Sequence, residues 1–114
     1  MDEKSEMKDM TLATMSKDER SLLLYLETRA VDYGGKVDVR HMNSDDMAIA
    51  KIWNKSGFLG FGRVASEDCS SSGAHWCRLT DEAWRLAHEE RRARAARMYA
   101  QRTWKTTEEK RKGE

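Results

Sequence analysis

The sequence contains no proline, only two cysteines and no long apolar run. A membrane-spanning helix needs about 20 consecutive apolar residues, and the charged residues 1–5 lack the apolar stretch of a secretory signal. Two cysteines without an export signal are typical of a reducing compartment, where thiols stay unpaired. We therefore expect a cytoplasmic protein that does not associate with membranes.

Charge is abundant and unevenly placed. Of 114 residues, 36% are charged and 39% are hydrophobic, which suits one small domain. Residues 1–20 carry four cationic side chains against six carboxylates, whereas residues 91–112 carry nine against two. Such asymmetry favours an acidic partner for the C-terminal end of the chain.

A capping box opens the first predicted helix. Ser16 and Glu19 stand at S-x-x-E spacing, at which each side chain satisfies a backbone N–H of the other residue. Leucines then recur at the spacing of one helix face until Gly34 and Gly35, where the helix is predicted to end.

Residues 36–42 have two interpretations. Val37 and Val39 alternate with polar residues as in a short strand, whereas Asp38 as an N-cap would begin a single helical turn. A clear second helix follows and is predicted to end at Gly57.

Residues 58–79 are predicted to form a β-hairpin with a long flexible tip. Two runs rich in aromatic and β-branched residues flank the polar loop 66–73. Thr80 then caps a third helix, which meets no helix breaker before Thr103. A helix of that length spans about 33 Å, so we expect its distal part to extend beyond the core.

This order of elements resembles the winged-helix family over about residues 18–88. The resemblance rests on NKSGFLGFGRV, which enters the hairpin, and HWCRLTDEAWRLA, which leaves it. It implies an α+β, winged-helix-like domain with a β-hairpin wing, in which the helix before the hairpin takes the recognition position. Either the family's second helix is shortened here to about one turn, or the chain has a different small α/β fold. The C-terminal run AHEERRARAARMYA also resembles small uncharacterised bacteriophage and prophage proteins, which implies a phage or mobile-element origin without an established activity.

Four segments are expected along the chain. Residues 1–15 form a disordered tail, 16–88 the winged-helix-like domain, 89–105 a basic helical extension and 106–114 a second disordered tail.

The arginine-rich extension is the strongest functional signal. Guanidinium groups bind phosphates through paired hydrogen bonds, and the nearby Tyr99 and Trp104 offer rings on which bases can stack. We predict that nucleic acid is bound by two groups of residues: Arg91, Arg92, Arg94, Arg97, Arg102 and Lys105 in the extension, and Lys51, Asn54, Lys55 and Arg63 at the recognition helix and hairpin. Because the four arginines at 91–97 lie outside the predicted core, we expect their replacement to leave the fold intact.

The predicted function is that of a small non-enzymatic nucleic-acid-binding accessory or regulatory protein. The alternative is a protein–protein interaction module that docks on a host or phage protein. In that case the basic helix contacts an acidic surface or a second copy of the chain through the stripe Ala93, Ala96, Tyr99 and Ala100. A third interpretation is a solvated helix whose arginines only maintain solubility.

No pattern in the sequence favours catalysis. Cys69, His75 and Cys77 lack the short cysteine spacing of zinc sites, so we expect no metal and no cofactor. A phosphate-binding glycine motif and a defined acid–base pair of carboxylates are absent as well. We therefore expect no catalytic residues.

Three tryptophans fall on the apolar faces of successive predicted elements. Trp53, Trp76 and Trp84 are accordingly predicted to form one buried cluster in the core.

Overall fold

The structure is a computed structural model, and it describes residues 10–113. Its helices are α1 (Lys17–Asp32), α2 (Ser44–Ser56), α3 (Asp81–Gln101) and α4 (Thr107–Gly113). Its strands are β1 (Lys36–Val37), β2 (Leu59–Arg63) and β3 (His75–Leu79). Short 3-10 turns occupy Leu12–Thr14, Val39–His41 and Ser66–Asp68.

The strands form one antiparallel sheet in the order β1–β3–β2. Leu59 pairs with Leu79, so β2 and β3 form the predicted hairpin, and Lys36 of β1 pairs with Trp76 on the other side of β3. The predicted α+β class is confirmed.

Residues 36–42 combine the two interpretations left open by the sequence. They begin as strand β1 and continue as a 3-10 turn, in which Asp38 accepts a hydrogen bond from the backbone N–H of Arg40 at 3.0 Å. The Arg40 guanidinium also contacts the Asp38 carboxylate, and these hydrogen bonds hold the pKa of Asp38 well below its usual range.

Predicted caps begin the helices. Ser16 Oγ accepts a hydrogen bond from the backbone N–H of Glu19 at 3.1 Å, and the Glu19 carboxylate accepts one from the backbone N–H of Ser16 at 2.8 Å. Thr80 accepts one from the N–H of Ala83 at 3.2 Å at the start of α3. Gly57 ends α2 with a φ of 85°, a backbone conformation that favours glycine.

The core lies between the helices and one face of the sheet. Its fully buried side chains include Leu23, Leu26, Trp53, Leu59 and Leu86. The edge of the Trp53 indole meets the ring of Phe58, with 5.3 Å between the ring centroids.

The predicted tryptophan cluster is wrong for two of its three members. Trp76 is 38% exposed and Trp84 is 37% exposed. Along β3 the side chains of His75, Cys77 and Leu79 are buried, and alternation then directs Trp76 to the opposite face of the sheet. Only Trp53 belongs to the core.

The hairpin connection is held against β1, contrary to the expected flexible tip. Lys36 Nζ donates to the backbone oxygen of Asp68 at 2.6 Å and to Ser70 Oγ at 3.1 Å. The buried guanidinium of Arg29 donates to the backbone oxygens of Lys36, at 2.8 Å, and of Ser72. These contacts close the hairpin connection, the segment 64–74 that the resemblance predicts to be a wing, over the edge of the sheet.

The C-terminal end of α3 extends beyond the core, as predicted. Every residue from 95 to 101 is exposed. Residues 107–113 form α4 rather than the expected disordered tail, and Glu109 of this helix accepts a hydrogen bond from Arg102. Glu114 lies outside the described residues.

At the other end, ordered chain begins before the predicted boundary. Residues 1–9 of the expected tail lie outside the described residues. Met10 and Leu12 pack against the core and Met15 is buried. Arg20 stabilises this segment because it donates to the backbone oxygens of Leu12 and Met15.

None of the helices in residues 10–113 is long and apolar enough to span a membrane.

Candidate nucleic-acid interface

The arginine-rich part of α3 packs against α1. Arg91 Nε lies 2.5 Å from Glu27 Oε1, and Arg94 Nη2 lies 3.0 Å from Ser21 Oγ. Higher residue numbers on α3 therefore meet lower numbers on α1, and the two helices run in opposite directions. Arg91 also donates to the hydroxyl of Thr28 at 3.1 Å, which fixes it on the surface of α1.

Glu90 is the centre of a charged network between the two helices. The residue is only 2% exposed. Arg97 Nη2 donates to its carboxylate at 2.8 Å, and the Nε atoms of Arg94 and Arg20 lie 3.7 Å and 3.8 Å from it. A buried carboxylate is costly unless cations and hydrogen bonds compensate it. These arginines therefore contribute to the stability of the fold.

The network overturns the expectation that the arginines at 91–97 are dispensable. Arg91 is bound to α1, and Arg94 and Arg97 neutralise Glu90. In the sequence, the apolar residues of α3 marked the face that packs against the core. In the structure, the buried face of α3 continues beyond the last of these apolar residues and includes Glu90. Arg92 alone of the four is exposed without an ion pair among residues 10–113.

The same network lines an open groove between the first turn of α1 and the C-terminal half of α3. The groove has a volume of about 520 Å³. Its cationic side chains are Lys17, Arg20, Arg94 and Arg97, and Glu90 is the one carboxylate among its lining residues. Three positive charges thus remain in excess. We call this site the basic groove.

Two further features make the basic groove suitable for an anion. The side chains of Arg20, Arg94 and Arg97 keep 31%, 42% and 53% of their surface exposed, so they can contact a ligand as well as Glu90. Lys17 stands in the first turn of α1, at the positive end of the helix dipole.

The sequence predicted Arg94 and Arg97 at the site and Glu90 only as the i, i+4 partner of Arg94; Lys17 and Arg20 were missed. The i, i+4 spacing of Glu90 and Arg94 is the one local signal, and it corresponds to an ion pair here. Lys17 and Arg20 can be recognised as members of the site only once α1 is known to pack antiparallel to α3.

The remaining predicted cations of the extension lie near its end. Arg102 contacts Glu109, and its guanidinium lies 4.0 Å from the ring centroid of Tyr99 and 4.8 Å from that of Trp104. Lys105 is exposed. The two rings are therefore partly covered by an arginine of the same chain.

The second predicted group, Lys51, Asn54, Lys55 and Arg63, is exposed around α2 and β2. Asn54 Oδ1 accepts a hydrogen bond from the backbone N–H of Phe61 at 3.0 Å, so this side chain anchors β2 to α2. Burial, together with the positive charges of Arg63 and Lys51, lowers the pKa of His75. Three carboxylates are also exposed on α2 and the hairpin connection, on Asp45, Glu67 and Asp68. The three predicted cations Lys51, Lys55 and Arg63 are therefore matched in number by exposed acids of α2 and the hairpin connection.

The cysteines do not come together with other metal-binding side chains. Cys69 is exposed and Cys77 is buried, and no cluster of three histidine, cysteine or carboxylate residues that could hold a metal occurs within residues 10–113. Burial raises the pKa of the Cys77 thiol to about 11, so that it stays protonated at neutral pH.

Comparisons of the chain with protein families, curated proteins and solved structures find no match.

Proposed function

We propose that the protein is a small non-enzymatic nucleic-acid-binding protein with an accessory or regulatory role, and that the basic groove contacts the phosphate backbone. The observation that carries the proposal is the excess charge: four cationic side chains surround one carboxylate in an open groove. Neutralising Glu90 requires one of them, and three charges remain for a ligand. Guanidinium groups bind phosphates through paired, charge-assisted hydrogen bonds, and positive charge in excess supplies affinity for a phosphate backbone.

The proposal moves the contact surface away from the winged-helix recognition position. Strand order β1–β3–β2, with α2 directly before the hairpin, is compatible with a winged helix whose second helix is reduced to the turn Val39–His41. However, the predicted cations of α2 and β2 are matched in number by exposed acids of α2 and the hairpin connection, and that connection is held against β1. Affinity for a phosphate backbone rests on excess positive charge, and the basic groove has more of it.

The test compares two exposed lysines that have no ion pair within residues 10–113. Lys17→Gln removes a charge from the basic groove, and Lys55→Gln removes one from α2. Binding to a labelled duplex is measured by fluorescence anisotropy over a series of salt concentrations. With about four phosphates contacted, the slope of log K against log salt is expected to be about −3.6 for the wild type.

Lys17→Gln is expected to flatten that slope by about 0.9, whereas Lys55→Gln leaves it unchanged. The opposite pattern would assign the contact to α2, as in a conventional winged helix. Failure of the wild type to bind duplex or single strand at low salt would refute nucleic-acid binding altogether.

A second candidate function, docking on another protein, is favoured by the apolar surface at the end of α3. Met98, Tyr99 and Trp104 are each 62% exposed, and Met98 also lines the basic groove. Exposed large apolar side chains of this kind are typical of protein interfaces. Sedimentation of the wild type and of a Met98→Glu, Tyr99→Glu variant tests this: a wild-type dimer that dissociates in the variant supports it, and monomers in both exclude self-association.

A further inference from the structure

Trp76 lies on the face of the sheet that points away from the helices. Its neighbour Cys77 points toward α1, where its Sγ is 3.5 Å from the backbone oxygen of Leu26. Because side chains alternate along a strand, Trp76 projects from the opposite face. It is 38% exposed there.

Two glycines of β2 let the Trp76 indole lie across the neighbouring strand. A Cβ on Gly60 would stand 2.8 Å from Trp76 Cζ3, and a Cβ on Gly62 would stand 3.0 Å from Nε1 and 3.2 Å from Cζ2. Any other residue at either position would push the ring off the strand. The glycines therefore cover one face of the indole, and its exposed surface is the opposite face.

The surroundings of the ring suit a nucleotide. Arg78 follows on the same face of β3 and is exposed. A cavity of about 520 Å³ is lined by Arg78 and by Gly60, the glycine under the ring, but not by Trp76 itself; Asn54 and the carboxylate of Asp81 also line it. The Trp76 Nε1–H has no acceptor among residues 10–113. A flat aromatic face next to a guanidinium is the combination with which proteins stack bases and hold the adjoining phosphate.

We infer that Trp76 is a stacking platform for a base of single-stranded nucleic acid, with Arg78 contacting the phosphate beside it. The inference rests on the proposed function, which supplies the class of ligand. It adds the requirement that the bases are unpaired, since a base within a duplex is stacked on both faces and offers none to Trp76. The rival explanation is purely structural: the indole covers two glycines that would otherwise expose backbone to water.

The experiment separates base contacts from backbone contacts. Binding is measured for a single strand of about ten nucleotides, within the range of site sizes of single-strand binders, and for an abasic strand of the same length that keeps every phosphate. Trp76→Leu keeps an apolar cover on the glycines but removes the aromatic face. Trp84→Leu is the matched control, because Trp84 is 37% exposed and lies on α3.

Trp76→Leu is expected to weaken binding of the normal strand about 5- to 150-fold, as found for the loss of one stacked base, and to leave binding of the abasic strand unchanged. Trp76→Phe should restore part of the loss. Trp84→Leu should change neither by more than about twofold. Lys17→Gln, in contrast, should weaken both strands equally.

Equal loss on both strands after Trp76→Leu, or no loss on either, would overturn the stacking platform while the basic groove stands. Loss on the normal strand after Trp104→Leu but not after Trp76→Leu would move the stacking site to the C-terminal aromatic residues and overturn the assignment. Duplex binding without single-strand binding would also overturn it and would leave the proposed function intact. No binding to any nucleic acid would overturn both.

Discussion

Gly73→Ala tests whether the wing is closed against β1. Gly73 is buried in the hairpin connection with a φ of 148°, a conformation that side-chain-bearing residues rarely adopt. A Cβ at this position would stand 2.2 Å from the carbonyl oxygen of Val37 and 3.0 Å from the backbone nitrogen of Asp38. The obstacle is backbone, so no side-chain rotation can relieve it.

The cost of the substitution can be worked from these contacts. Ordinary van der Waals contact begins at about 3.4 Å, so the wing and β1 would have to separate by roughly 1 Å. The backbone conformation costs about 1–3 kcal/mol for a residue other than glycine, and each weakened hydrogen bond of the closed wing adds about 0.5–1.5 kcal/mol. We expect a loss of about 2–4 kcal/mol in the free energy of unfolding, a large part of the stability of a small domain.

Urea denaturation followed by circular dichroism measures this loss. Gly34→Ala is the matched control, because Gly34 has a φ of 63° but nothing lies within 4 Å of its added Cβ. Gly34→Ala should lower the free energy of unfolding by only about 1 kcal/mol, which is the cost of the left-handed backbone conformation for a residue with a Cβ. Equal losses in the two variants would refute the closed wing.

Two further predictions concern the core and its response to pH. Trp53→Ala should destabilise the protein by about 3–5 kcal/mol, because it empties a fully buried site, whereas Trp84→Ala should cost clearly less since Trp84 borders solvent; equal melting temperatures would contradict this. Burial and the charges of Arg63 and Lys51 lower the pKa of His75, so the unfolded chain binds a proton that the folded chain excludes. Stability should therefore be retained above the usual pKa of 6.5 and decline as pH falls below it. His75→Leu should reduce that decline in acid titrations followed by urea denaturation; an unchanged pH profile would contradict the role of His75.

Features set by neighbouring residues could be predicted from the sequence. The Ser16–Glu19 capping box, the Gly57 end of α2 and the Thr80 cap depend on contacts within one helical turn. The hairpin followed from two β-branched and aromatic runs. The prediction that Trp76 is buried was wrong because it relied on the apolar character of the side chain. The alternation of side chains along β3 places Trp76 on the face opposite to Cys77.

The candidate site could be predicted only in part, because its charges come from distant parts of the chain. Arg94 and Arg97 could be recognised as members of an arginine run, and their partner Glu90 lies on the same helix. The groove residues Lys17 and Arg20, in contrast, join them only through the packing of α3 on α1. The same packing accounts for the contacts of Arg91 with Glu27 and of Arg94 with Ser21. Arg97 instead contacts Glu90 of its own helix, and Arg102 contacts Glu109 of α4. The resemblance to small phage proteins stays a prediction.

The most direct test of the basic groove is to raise its charge rather than lower it. Glu90→Gln keeps the shape of the side chain and its capacity to accept a hydrogen bond from Arg97, and it removes the one carboxylate of the groove. Glu89→Gln makes the same change in net charge on an exposed side chain that pairs with Arg85 and does not line the groove. One more positive charge about 7 Å from a phosphate is worth about 0.6 kcal/mol in water, or about threefold in affinity.

The measurement is the affinity of the wild type and both variants for one labelled oligonucleotide at low salt, with circular dichroism as the check on folding. The basic groove predicts that Glu90→Gln tightens binding by about threefold and clearly more than Glu89→Gln does. Equal gains from the two substitutions, or weaker binding by a folded Glu90→Gln variant, would contradict it.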